Sequence, residues 1–191
     1  MKNKVRIELL LLVCVALIMP MSATSGAKGR NEVFSALAQL PVEGRTTNVK
    51  IYINGYSTTQ DAERLHAALV DGGSKALLKV LSKMKSMGRI EREGTVGNYD
   101  FKLILSKPTA TGRHIYAVAD RPIGFLEEYF STRSKDFPFG ILELDLKEDN
   151  EKEKGEGTLI YAAKVRVVSG DKVEIENLSF APIRLLGVRQ L

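Results

Sequence analysis

Apolar and polar residues alternate with a period of two over most of the chain, and repeat at helical spacing over one stretch near its middle. Val49, Ile51 and Ile53 alternate with Lys50 and Tyr52, the signature of a half-buried strand. Thr58 then offers a hydroxyl to a free backbone N–H, with Asp61 three residues on to reach back, which predicts a helix start. Ala62, Leu65 and Leu69 share one helical face, Asp71-Gly72-Gly73 breaks it, and Ser74 opens a second run carrying Leu77, Val80, Leu81 and Met84 before Gly88. From Arg89 onward the pattern is β. A short strand leads through a turn at 94–98 into a run over 99–105, with Tyr99, Phe101, Leu103 and Leu105 expected on one face and Asp100, Lys102 and Ile104 on the other.

A turn at 108–112 precedes a strand over 113–120. A second strand over 139–146 places Leu142, Leu144 and Leu146 opposite Glu143 and Asp145. The run 158–168 is apolar on both faces for part of its length, as a central strand would be, and Ser169-Gly170-Asp171 turns it into 172–180. A last strand occupies 183–191. Before all of these, residues 31–40 form a weakly helical patch that ends at Pro41 and is expected to be a lead-in or a short helix covering an edge. Seven or eight short strands and one helical insertion predict an α+β domain. Its expected form is an antiparallel, strongly curved sheet or partly closed β-barrel, with a helical pair inserted after the first strand and covering one mouth.

The first residues carry a different message. Lys2, Lys4 and Arg6 precede an apolar run from Leu9 to Met19 and then a small-residue stretch, the layout of a secretory signal peptide. Ser25-Gly26-Ala27 suits cleavage after Ala27. The expected organisation is therefore a leader over 1–27, a lead-in over 28–45 and a single α+β domain over 46–191, exported to the periplasm or the medium with no stable membrane insertion once the leader is removed. Cleavage lowers the formal net charge from +5 to +3. The basic residues are interspersed with acids, which excludes a phosphate-tracking stripe and hence a nucleic-acid partner. Cys14, the sole cysteine, lies in the leader, so the mature chain has no disulfide and no thiolate chemistry, and no cofactor is expected.

Candidate chemistry gathers in residues 112–146, where two strands flank an aromatic and charged connection. Arg121 sits before Pro122, which stiffens its backbone frame and aims its guanidinium. With Tyr129, Arg133, Asp136 and Phe139 it forms the expected ligand-binding set. Glu127 and Glu128 are adjacent and so diverge, and their expected fate is pairing with Arg121, Arg133 or Lys135. His114 shares a strand face with Tyr116 and Val118. It could act as a base oriented by Asp120 or Asp136 toward Ser131 or Ser134, although neither serine has the turn of a nucleophile elbow. His66 has no second histidine within helical reach, and the acidic run 148–154 lacks calcium-loop spacing, so no metal is expected.

The segments ADRPIGF at 119–125, RSKDFPFG at 133–140, LELDL at 142–146, GEGTLIYAAKV at 155–165 and PIRLLGVR at 182–189 resemble an uncharacterised family of exported bacterial proteins. That family has no established activity, so the resemblance implies a compartment and assigns no site residues. Together these features predict a non-catalytic binding module for a small amphipathic ligand or an envelope protein. The alternatives are a carboxylate-dependent hydrolase using Asp120, Glu127 or Asp136, and a structural cell-envelope component.

Overall fold

The computed structural model describes residues 31–40, 45–124, 136–147, 155–169, 172–178 and 181–191. Among the described residues, ten strands and one helix follow in the order β1 (Glu32–Gln39), β2 (Thr46–Ile53), α1 (Thr59–Leu81), β3 (Gly88–Arg92), β4 (Asn98–Phe101), β5 (Leu103–Thr109), β6 (Gly112–Ala119), β7 (Phe139–Lys147), β8 (Gly155–Ser169), β9 (Lys172–Asn177) and β10 (Ile183–Gln190). All pair antiparallel in one sheet, in the order β4-β3-β2-β1-β10-β8-β7-β6-β5, with β9 on the far half of β8. The two ends of that path, β4 and β5, are consecutive in the chain and meet at Lys102, so the sheet curls into a nearly closed barrel.

The joint explains a face reversal that the alternation alone does not show. Tyr99 and Phe101 point inward in β4, but Ile104, fully buried, is the inward residue of β5, while Leu103 packs against the outer cluster beneath α1. The chain shifts phase by one residue at Lys102, whose N–H nevertheless continues the ladder by donating to the Val118 carbonyl at 2.9 Å. Beyond the start of β3 the seam is filled by residues 54–57. Ser57 N–H donates to the Ile104 carbonyl at 2.7 Å and its hydroxyl accepts from the Ile104 N–H at 3.1 Å, satisfying both backbone groups of one residue.

The barrel interior is the main core. Phe34, Ile51, Ile90, Phe101, Ile115 and Leu142 are each at most 1% exposed and belong to one cluster. At one end Ile123 is fully buried among them, its N–H donating to the Tyr161 carbonyl at 2.8 Å. A second cluster lies outside the wall, where Leu65, Leu69, Leu77 and Leu81 of α1 pack on Phe139, Ile141, Ile160, Val165 and Ile175. The helix thus covers the outer wall of β7, β8 and β9 and not a mouth. Thr58 caps it as the sequence indicates, through a reciprocal capping box with Asp61.

Two expectations are corrected. Residues 32–39 are a strand paired on both sides, to β2 and β10, because Phe34, Ala36 and Ala38 face the interior while Ser35 and Leu37 face out. The alanines mimic a helix former, but the period is two. The insertion consequently follows the second strand. The helical insertion itself is α1, a run that non-helical backbone at Gly72 and Gly73 kinks at the predicted break. Gly73 adopts φ +64°, which a glycine tolerates, and Ser74 beyond it donates its hydroxyl to the Val165 carbonyl on β8.

Close approach of strands at the seam yields a test. A Cβ on Gly88 would lie 2.2 Å from the Tyr52 carbonyl oxygen and 2.8 Å from Ile104 Cδ1. Gly88→Ala is expected to destabilise the protein by about 2–3 kcal/mol, read from urea unfolding, because backbone must move to admit a methyl group. Unchanged stability would show that the β2–β3 contact is looser than described.

Candidate functional site

Three outward or end positions carry chemistry. The first plugs the barrel at the β1 N-terminal end. Arg113 points inward from β6 and donates from Nη2 to Glu32 Oε1 at 2.9 Å and from Nη1 to the Tyr56 hydroxyl at 3.0 Å, while that hydroxyl donates to Glu32 Oε2. Glu32 is one of two buried charged residues among those described. Burial and the bond to Glu32 push the Tyr56 phenol well above its ordinary range. Burial opposes the Arg113 charge, but the bonds from Glu32 and Tyr56 outweigh it and hold the guanidinium firmly protonated. A network whose members satisfy one another so fully seals the end of the core.

The second lies on the outer faces of β6 and β7. Direct cross-strand pairing sets His114 beside Asp145 and Tyr116 beside Glu143. His114 Nδ1 bonds Asp145 Oδ1, its ring rests on Tyr116 with centroids 4.1 Å apart, and its Nε2 is buried with no hydrogen-bond partner among the described residues. Burial, reinforced by the neighbouring Asp145, raises the Glu143 carboxyl to about 7. Burial with the charges of Glu143 and Asp145 raises Tyr116 to about 12. The sequence places His114 on the Tyr116 face, as observed. Its carboxylate partner is Asp145 from the neighbouring strand and not Asp120 or Asp136, which sit toward the other end of β6 and β7.

The third is a groove of ≈ 540 Å³ on the outer wall where β1, β2 and β10 adjoin. A bulge makes it. Ser35 pairs with Arg189 and Leu37 with Leu186, so β10 carries one extra residue between these rungs, and Gly187 absorbs it at φ +62°. Leu186 and Arg189 both consequently line the outer groove. Leu37 and Leu191 border it at 37% and 64% exposure, two of the five large hydrophobic residues left exposed among those described. The polar rim comprises Lys50, which pairs with Glu93 at 3.4 Å, and Arg189, whose Nε donates to Ser35 Oγ at 3.2 Å.

The expected ligand-binding set is not gathered in any of these places. Phe139 is fully buried beneath α1 and offers no surface. Arg121 Nη2 donates to the Asn98 carbonyl at 3.1 Å and its guanidinium stands 5.2 Å from the centre of the Tyr99 ring, so among the described residues its partners are a carbonyl and a ring. Asp136 is exposed on the approach to β7. Tyr129 and Arg133 lie outside the described residues, as do Glu127, Glu128, Ser131, Ser134 and the acidic run 148–154. His66 is half-buried on α1, and Lys75 and Lys79 lie on its solvated face. Sequence reasoning missed the groove because its walls come from residues about 150 positions apart; the pair Leu186 and Leu191 flanking Arg189 is the only local sign.

Glu143 supplies a pH test. Its folded pKa of about 7 stands above the ordinary value of 4.5, so between these limits the folded state binds more protons than the unfolded state. Stability is expected to fall as pH rises through that window. Glu143→Gln should remove this fall and leave the variant more stable than the parent at pH 8, with little difference at pH 4, by urea midpoints. Parallel curves for parent and variant would refute the burial of this carboxyl. Comparison with known proteins adds no assignment: no family model, no curated protein and no solved structure matches the chain.

Proposed function

We propose that the protein is an exported, non-catalytic binding module that holds a small amphipathic ligand in the groove on its outer wall. The observation that carries this reading is the groove itself: exposed Leu37 and Leu191 beside Leu186, with a cation at the rim, on a protein whose barrel interior is filled by its own side chains. Apolar side chains left open in a concavity with a few polar groups at its edge are what a small-molecule site requires, and ≈ 540 Å³ falls within the usual size of such sites. Export rests on the leader pattern over 1–27. Cleavage after Ala27 leaves β1, which begins at Glu32, intact. An envelope protein presenting an apolar segment is a second occupant compatible with the same surface.

The hydrolase reading now draws on Glu143, whose carboxyl near neutrality lies beside Tyr116 and the His114–Asp145 pair, in preference to Asp120 and Asp136. The binding reading stands ahead of it because the groove supplies space for a ligand, whereas Glu143 is buried.

Native mass spectrometry of the mature protein isolated from its own host tests both parts. The expected chain begins at Lys28 and carries a ligand that Leu37→Asp releases. A mature protein that retains its leader contradicts export with cleavage, and one that carries the same ligand after Leu37→Asp contradicts the groove.

A further inference from the structure

The walls of the groove also define a class of ligand. Resting on the reading of the groove as a binding site, we infer that its ligand is an anionic amphiphile with one carboxylate head on an aliphatic chain, the head seated on Arg189 and the chain along Leu37 and Leu186. Two consecutive outward rungs of the β1–β10 ladder set this order, Ser35 with Arg189 and then Leu37 with Leu186. Residues two apart on a strand are about 7 Å apart, so the cationic position and the apolar position are neighbours on one face. A head group and the first few methylenes of a chain span that separation.

Charge distinguishes the head. Lys50 is answered by Glu93 at 3.4 Å, whereas Arg189 has no acidic partner among the described residues. The Nε of Arg189 donates to Ser35 Oγ at 3.2 Å, which orients the guanidinium along the groove and leaves its two terminal nitrogens to donate side by side to a ligand. A carboxylate matches that pair in the end-on, two-bond arrangement that an ammonium could not provide. Glu93 at the same rim disfavours a polyanion, since a second negative charge would approach a carboxylate, and so selects against phosphates of high charge and acidic peptides. The apolar contribution comes from Leu37, Leu186 and Leu191, which a bound chain would remove from water.

Calorimetric titration of the mature protein with decanoate below micelle formation and with 1-decanol below its solubility limit tests this. Decanoate is expected to bind at one site, Arg189→Gln to weaken it by about tenfold or more without altering 1-decanol binding, and Leu37→Asp to weaken both. Circular dichroism of each variant separates lost binding from lost folding, and Arg189 is exposed, so its replacement leaves the core untouched. Decanoate binding that is insensitive to Arg189→Gln overturns the proposed head-group contact. Binding of 1-decanol but not decanoate overturns the anionic class while leaving the groove as a binding site, and binding of neither ligand overturns both.

Discussion

The protein depends on curling one sheet into a nearly closed barrel, which leaves little of its edge unpaired. An open sheet of this length would expose two rows of unpaired N–H and C=O groups; here its terminal strands are one continuous piece of chain, β4 and β5, bent at Lys102. The bend lets Phe101 point into the core from one side and Ile104 from the other, although they are three residues apart and a straight strand would separate their faces. Where β3 is too short to cover β5, Ser57 stands in as its partner, and Gly88 allows the strands to come together. Closure defines an interior, and the described apolar side chains that line it are buried against one another.

That packing determines where function can lie. The interior holds Phe34, Ile51 and Phe101 with no more than 1% exposure, one end is sealed by Glu32, Arg113 and Tyr56, and Ile123 packs in at the other. The proposed binding site therefore lies on the outer wall. There β7 and β8 are covered by α1, β6 and β7 carry the Glu143 row, and β1 with β10 carries the groove. The same bulge at Gly187 that relieves the β1–β10 register brings Leu186 and Arg189 to one surface, so a feature of barrel geometry supplies the proposed recognition site.

Much of this architecture is legible in the chain because local rules and burial agree. The alternation of Leu142, Leu144 and Leu146 against Glu143 and Asp145, the Thr58–Asp61 cap and the glycine break in α1 all hold in the structure. The failures come where two rules compete. In β1 the small, helix-favouring Ala36 and Ala38 are the buried, inward positions after Phe34, and outward Leu37 blurs the alternation. At Lys102 a phase shift of one residue reverses the faces that simple alternation assigns to Leu103 and Leu105. The site is less legible than the fold. Arg121 and Phe139 attract attention as an arginine beside proline and an aromatic beside glycine, yet the structure occupies both with internal contacts, while the groove joins β1 to β10 across 154 residues and has no sequence motif.

The central claim is that the barrel interior is solid and that binding belongs to the wall. Methyl NMR of the leucine-labelled mature protein during a decanoate titration addresses it directly. The account predicts shifts at Leu37, Leu186 and Leu191, with Leu142, Leu144 and Leu185 of the interior unmoved. Shifts confined to the interior leucines would contradict it.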